Sequence, residues 1–285
     1  MARTYNDIYI EARRRLKAAG IEAYSLEARL ILATAADKTP EAFYRDIQLY
    51  TNDAYEQKAE ALIARRLAGE PVAYLTGSWE FFGIPLTVTP DVLIPRIDSE
   101  VVVETVVALL AGYARARVLD LCCGSGCIGL AVASQLPNCR VVCVDNSEKA
   151  LAVARKNAIA AHAGARATCI AADALAEPPI ALGTFDLLVC NPPYIPHAEL
   201  AALDGSVRNY EPLAALDGGE DGLLFYREIP GKWKRLLAPG GFLVFECGIG
   251  QSETVRALTE AAGFRHIRTV RDTGGIDRAI AFGLE

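Results

Sequence analysis

From Arg117 to Phe282, short apolar runs alternate with segments of helical spacing, and this alternation does most to limit what the chain can become. The runs Arg117–Leu121, Arg140–Asp145, Thr168–Ala171, Leu187–Cys190 and Gly241–Glu246 read as strands. The intervening stretches, from the turn after Leu121 to Gln135, Ser147–Ala163, Leu223–Leu237 and Glu253–Ala262, read as helices. Strands that are apolar along their length need cover on both faces, and alternation with helices supplies it. Ile267–Arg271 and Arg278–Phe282 close the chain as two strands joined by Gly274-Gly275. The pattern predicts an α/β fold, a doubly wound and mostly parallel sheet with a terminal hairpin.

The first 73 residues have no β-type alternation and are expected to form a small helical bundle. Thr4 with Asp7 is a capping signal, followed by Ile8, Ala12, Leu16 and Ala19 at helical spacing and stopped by Gly20. Ser25 is expected to open a second helix, Thr39-Pro40 a third, and Asp53 with Glu56 a fourth that ends before Gly69 and Pro71. Residues 74–90, with Tyr74-Leu75-Thr76, Trp79–Phe82, Gly83-Ile84-Pro85 and Leu86-Thr87-Val88, read as a β-hairpin linker. Residues 91–285 then form the α/β domain. A length of 285 residues fits two domains at about 150 residues each.

Composition narrows the function. The net charge is −6, and all of it lies beyond residue 75, which argues against gripping nucleic acid by bulk electrostatics. The first 20 residues are rich in Arg and Glu and hold no apolar h-region, and the longest uncharged stretch, Leu121–Cys139, holds three glycines and several polar residues, so neither a secretory signal nor a membrane span is expected. Eight cysteines without a CxxC pair, and scattered His162, His197 and His266, suggest a reduced cytoplasmic protein with no metal.

The strand Val118–Leu121 runs into Cys122-Cys123-Gly124-Ser125-Gly126, where glycines permit a sharp turn and close approach of a ligand. The next strand ends at Asp145, an acid placed to accept hydrogen bonds from ribose hydroxyls. Gly124-x-Gly126-x-x-Gly129 matches the dinucleotide fingerprint, so a nicotinamide dinucleotide and S-adenosylmethionine both fit. Asp120 beside the loop disfavours a phosphate and favours a cation. The plainer reading of Asp120 is a carboxylate that satisfies backbone donors in the turn.

Asn191-Pro192-Pro193-Tyr194 follows the apolar strand Leu187–Cys190, and so stands at the carboxyl edge of the sheet where ligands bind in such folds. The run resembles the NPPY motif of class I methyltransferases that modify planar nitrogens. Tyr74–Gly77, Glu80-Phe81, Ile94-Pro95-Arg96, Asp98-Ser99-Glu100, Asp120-Leu121, Gly124–Gly126, Tyr210-Glu211-Pro212 and Leu216–Gly222 extend the likeness to the peptide chain release factor glutamine methyltransferases (the PrmC/HemK family) over about residues 70–285. The resemblance implies a seven-stranded class I methyltransferase sheet behind an N-terminal substrate-recognition bundle. It implies transfer of a methyl group from S-adenosylmethionine, leaving S-adenosylhomocysteine, to the glutamine amide of the Gly-Gly-Gln tip of class 1 release factors. The expected partner is therefore a release factor, with no direct nucleic-acid substrate, no membrane and a monomeric enzyme.

On this reading Asn191, Pro192 and Tyr194 are catalytic, and with Pro193 they hold the substrate amide. Cys122, Cys123, Gly124, Ser125, Gly126, Asp145, Asp173, Ala174 and Asn191 bind the cofactor, Asp173 at the adenine. The family loop commonly has glycine at the Cys122 position, and a non-glycine residue there is expected to keep φ negative. Ala174 stands where the family has a large aromatic, and Trp79 and Ile97 replace a common arginine and proline on the substrate side. Arg13-Arg14-Arg15 with Lys17 suits either a partner or a solvated helix face. Cys122, Cys123 and Cys127 suit either a redox cluster or small core residues, and Arg96 with Glu100 either a substrate clamp or a salt-bridged turn. Rival activities are a nucleic-acid amino-methyltransferase, against which the acidic charge counts, a dehydrogenase, and a cofactor-sensing module without catalysis.

Overall fold

The computed structural model describes residues Arg3–Leu284. The chain forms two compact units, one reaching Ser78 and including Asp204–Tyr210, the other spanning Trp79–Leu203 and the chain from Glu211 onward.

The first unit is helical: α1 (Tyr5–Ala18), α2 (Tyr24–Ala35), α3 (Pro40–Arg45), α4 (Asp53–Leu67) and α5 (Val72–Thr76). Thr4 and Asp7 form the expected capping box, and Pro40 sits in the first turn of α3 behind the Thr39 cap. Two starts differ from expectation. The residue before α2 is Ala23, which offers no side-chain cap, and Ser25 lies one residue inside the helix. At α4 the cap is Asn52, whose Oδ1 accepts from the Tyr55 amide at 2.9 Å, so Asp53 is freed to act on the positive helix end. Tyr74-Leu75-Thr76 is not strand but the end of α5: Leu75 is buried in the helical core with Leu16, Ile31, Leu32 and Phe43, and Gly77 at φ +67° stops the helix. Asp204–Tyr210 contributes a helical turn capped by Asp204 and a hydrogen bond from Tyr210 Oη to the Ala68 carbonyl at 3.1 Å.

The second unit begins with the hairpin of β1 (Ser78–Phe81) and β2 (Ile84–Thr87). Its two turn residues, Phe82 and Gly83, both have positive φ (+52° and +73°), the geometry whose twist matches paired strands. Then come α6 (Glu100–Leu110), β3 (Ala116–Leu121), α7 (Cys127–Gln135), β4 (Cys139–Asp145), α8 (Glu148–Ala160), β5 (Ala167–Ala171), β6 (Phe185–Cys190), a helix at Leu224–Trp233, β7 (Leu237–Glu246), a helix at Ser252–Ala261, β8 (Phe264–Arg271) and β9 (Asp277–Leu284). The sheet has seven strands in the order β5-β4-β3-β6-β7-β9-β8; β3 to β7 are parallel, and β9 runs antiparallel between β7 and β8. Helix α6 escapes a propensity reading because Val101–Val103 and Val106–Val107 are β-branched. Burial decides it: Val102, Val103 and Val106 are wholly enclosed against the sheet.

The third glycine of the loop motif does packing work. A Cβ on Gly129 would meet Asp120 Oδ2 and Val141 Cγ1, each at 2.8 Å, so α7 lies against β3 and β4 only because that atom is missing.

Candidate active site

Strand β3 has β4 on one side and β6 on the other, so the chain reverses its winding there and leaves a crevice at the carboxyl ends of the strands. Four strand ends aim their polar residues into it. Asp120 is the penultimate residue of β3 and Cys122 to Ser125 follow that strand, Asp145 ends β4, Asp173 and Ala174 follow β5, and Asn191 follows β6; all line one cavity. Gly126 does not. It is the αL residue before α7 (φ +78°), and a Cβ there would touch Ala154 and Leu130 instead.

The loop carries left-handed backbone at every second position: Cys122 (φ +60°), Gly124 (φ +53°) and Gly126. This corrects the expectation that Cys122 keeps a negative φ. The turn between β3 and α7 needs αL at this position whatever the side chain, and cysteine adopts it at a strain of about 1 kcal/mol. The residue is held by packing of its thiol against the core under β6.

Asp145 accepts from the amides of Gly124 (Oδ2, 2.9 Å) and Ser147 (Oδ1, 2.9 Å), so it both faces the cavity and ties the glycine loop to β4. Burial raises its carboxyl above the usual range, opposed by these amides. Asp120 is buried, accepts the Gly129 amide at 2.9 Å and is pushed up to about 7 by burial. Asp120 thus serves a backbone donor, as its plainer reading has it, and also lines the cavity. Ser125, also buried on the cavity wall, has a hydroxyl Oγ with no hydrogen-bond partner among the described residues. A buried acid pushed up to about 7, an orphaned hydroxyl and a second buried carboxylate make a site that gains from a cationic ligand.

Ala174 is enclosed, its carbonyl accepting from Trp233 Nε1 at 2.9 Å. The aromatic surface of the cavity comes instead from Phe225, with Pro212, Ala214 and Ala215 beside it. No motif marks Phe225 in the sequence; its helix only had to bring it there.

Asn191 and Pro193 line this cavity, while Tyr194 and Ile195 line an adjoining open groove of about 1060 Å³ that shares Pro95 and Arg96 with it. The four-residue motif therefore spans from one to the other. Pro192 is buried and lines neither. The motif is braced from behind by Leu216–Gly222. Ile195 donates its amide to the Leu216 carbonyl (3.0 Å), Gly218 donates to Ile195 (2.9 Å), and Gln251 Nε2 donates to the Tyr194 carbonyl (2.9 Å). A Cβ on Gly218 would come within 2.7 Å of Tyr194 Cα, and one on Gly222 within 2.3 Å of the Tyr194 carbonyl oxygen. Burial raises the Tyr194 hydroxyl to about 12, so it stays protonated.

Arg96 is paired with Glu211, which also accepts the Ile94 amide at 3.1 Å, and Glu100 Oε1 accepts the Phe82 amide at 2.8 Å; both act as turn-holding residues here. Trp79 and Ile97 lie on the groove, Trp79 donating Nε1 to the Pro95 carbonyl at 3.1 Å. The arginine run disperses around α1: Arg15 grips Glu60, Arg13 stacks over Tyr9 and Tyr24, Lys17 also lies over the Tyr24 ring, and Arg14 is exposed. Cys122, Cys123 and Cys127 all touch the cavity wall with free thiols, burial pushing that of Cys127 to about 12. Among the described residues, no group of three His, Cys, Asp or Glu is placed to hold a metal ion, and no helix is long and apolar enough to cross a membrane.

A seven-stranded sheet of this order, with acids at the ends of the first strands and NPPY after the fourth, defines a class I S-adenosylmethionine-dependent methyltransferase. Family models agree: residues 97–205 match the methyltransferase small domain and residues 7–77 the PrmC N-terminal domain. The chain is 45% identical over 263 residues to the release factor glutamine methyltransferase of Geobacter sulfurreducens, covering 92% of this chain and 90% of that one. It is also 45% identical to the enzyme of the same name from Bordetella pertussis, over 79% of this chain and 82% of that one. The catalytic domain of hMettl16, solved in complex with an RNA hairpin, shares the fold at a TM-score of 0.57 and 16% identity, covering 89% of this chain and 92% of that one. The chain belongs to the release factor glutamine methyltransferase family, and is a protein-glutamine N-methyltransferase that uses S-adenosylmethionine.

Asp145→Ala is expected to weaken cofactor binding at least tenfold. The expectation rests on Asp145 as the acceptor for ribose hydroxyls, each such charge-assisted bond being worth about 1.5–3 kcal/mol; the substitution also unties the Gly124 amide. Calorimetry measures it, and an unchanged dissociation constant removes Asp145 from the ribose site.

Proposed function

We propose that this enzyme methylates the side-chain amide nitrogen of the glutamine in the Gly-Gly-Gln tip of class 1 peptide chain release factors, and so modulates translation termination in the cytoplasm. The observation that carries this reading is the span of Asn191–Tyr194 between the cofactor cavity and the open groove. A protruding loop laid in the groove presents one side chain to Asn191 without the rest of the protein entering the cavity. The helical unit up to Ser78 acts as the recognition domain, the hairpin through Thr87 as linker and the chain beyond it as the methyltransferase domain. The enzyme works as a monomer on protein, not nucleic acid; the groove is lined by Glu80, Asp98, Glu100, Glu199 and Asp221, which repel a phosphate backbone.

The bound cofactor supplies an electrophilic methyl group on a sulfonium. An amide nitrogen is a poor nucleophile because its lone pair is shared with the carbonyl, so the protein must align it and favour charge as it forms. Asn191 Oδ1 accepts one N–H of the substrate amide and the Pro192 carbonyl accepts the other. Prolines at 192 and 193 fix φ and aim that carbonyl in advance. Tyr194 lies along the flat amide and excludes water. One of the two N–H protons becomes strongly acidic as the C–N bond forms; the neutral acceptors hold it until the site opens, and it then passes to solvent, so no dedicated base is needed. Mass spectrometry of the release factor tip peptide after incubation with cofactor tests the reading, RNA and DNA being offered alongside. Methyl on nucleic acid and none on glutamine would overturn it.

Cofactor binding is also expected to release a proton. Asp120 has a folded value near 7, so at pH 6 it is neutral in the free protein, and a cation favours its ionised form. Affinity therefore rises with pH and levels off above about 7, being about tenfold weaker at pH 6 than at pH 8. Calorimetry in buffers of different ionisation heat measures the released proton. A profile that persists in Asp120→Asn assigns it to another group.

A further inference from the structure

Register places a buried acid beside the proposed catalytic amide. In the parallel pair β6–β7, Cys190 faces Phe245, so the next residues at the carboxyl ends, Asn191 and Glu246, are neighbours. Glu246 is 2% exposed, and its Oε2 has no hydrogen-bond partner among the described residues. It lines neither the cavity nor the groove. A carboxyl buried this way is a liability to folding, because the charged form loses its hydration. Burial pushes it up to about 7; the Ser99 hydroxyl, Arg278 and the Asn191 side-chain amide act in the opposite direction, and Asp98 adds to the rise.

We propose that the ionised Glu246 carboxylate is a positioning residue that sets the orientation of the Asn191 side-chain amide. An asparagine amide has one accepting and one donating end, and its two flips occupy the same space. Only the flip with Oδ1 toward the cavity accepts a substrate N–H; the other sets NH₂ against NH₂. An ionised carboxylate accepts but never donates, so it draws Asn191 Nδ2 to itself and turns Oδ1 outward. A protonated carboxyl can either accept from Nδ2 through its carbonyl or donate to Oδ1 through its hydroxyl, so it no longer holds one flip. The groups facing Glu246 are Ser99 and Asp98 before α6, Cys127 at the start of α7, Asn191 and Tyr194 after β6, Tyr226 in the helix Leu224–Trp233, Cys247 after β7, and Arg278 on β9, itself paired with Asp272 at 3.1 Å. Of these, Arg278 is the cation that keeps the carboxylate reachable near neutral pH. The inference rests on the reading of Asn191 as acceptor.

The test is a double-mutant cycle of Glu246→Gln and Asn191→Ala, read by single-turnover methylation of the release factor at saturating cofactor. Glu246→Gln keeps shape and removes charge, and its amide no longer prefers one flip. It should slow transfer by about 10–100-fold, leave cofactor and release factor affinities within about twofold, and melt no earlier than the parent at pH 8, where burial of the charge is costly. In the Asn191→Ala background it should add nothing, since it acts only through Asn191. An equal loss in both backgrounds, or a parental rate for Glu246→Gln, overturns the proposal. If Asn191→Ala alone keeps the parental rate, the active-site reading fails instead. The unmutated enzyme gives an independent answer should the variant not fold: its transfer rate at saturating cofactor is expected to rise with pH between about 5 and 8 as Glu246 ionises, and a rate flat across that range overturns the role.

Discussion

Asn191→Ala is expected to slow methyl transfer by about 10²–10³-fold, the loss seen when one preorganised hydrogen-bond partner is removed from an active site. The hydrogen bond from the substrate nitrogen to Oδ1 strengthens only as positive charge grows on that nitrogen. Such a contact acts on the transition state far more than on the ground state, so binding of the release factor should change little. Asn191 also lines the cofactor cavity, so a modest loss of cofactor affinity accompanies it. Rapid-quench kinetics with both partners saturating isolates the chemical step. Transfer at the parental rate would show that the chemistry lies elsewhere.

Gly222→Ala should be nearly as damaging, although residue 222 touches no substrate. Its φ of +74° is one that alanine adopts only with strain, and its Cβ would stand 2.3 Å from the Tyr194 carbonyl oxygen. The opposing atom is backbone, held by Gln251 Nε2, so it cannot swing aside. The whole Asn191–Ile195 run must move to make room. A shift of about 1 Å in a catalytic group costs on the order of 10² in rate. Overpacking of this kind also lowers stability by about 1–3 kcal/mol. Cofactor affinity should fall much less, because Asp120, Asp145 and the glycine loop belong to other strands. Kinetics, calorimetry and a melting curve separate the three effects. A variant that keeps full activity would mean that the Leu216–Gly222 loop does not brace the motif.

Sheet class and the main strands were legible in the residues, and so was the sheet edge at which the glycine loop and the Asn191–Tyr194 run emerge. An apolar run such as Leu187–Cys190 has no alternative to a covered strand. A motif placed directly after it must emerge at the carboxyl edge, because a strand has only two ends. The acids at the ends of β3, β4 and β5 follow the same logic, and local sequence was sufficient because each residue's position depends on its own strand alone.

What tertiary structure decided were relations between segments far apart in the chain. Tyr74–Thr76 became helix because Leu75 is buried among α1–α4, a force that no local propensity carries. Cys122 took a left-handed conformation because the turn into α7 demanded it of whatever residue stood there. Phe225 reached the cavity from a helix 34 residues beyond Asn191, and Gly218 and Gly222 acquired meaning only when Tyr194 came to lie against them. Glu246 is one more acid at the end of a strand until β7 pairs with β6 in a register that sets it beside Asn191 and closes it off from water. Burial and register are properties of the packed chain, and it is they that turn an ordinary glycine into a brace and an ordinary carboxylate into one poised near neutrality.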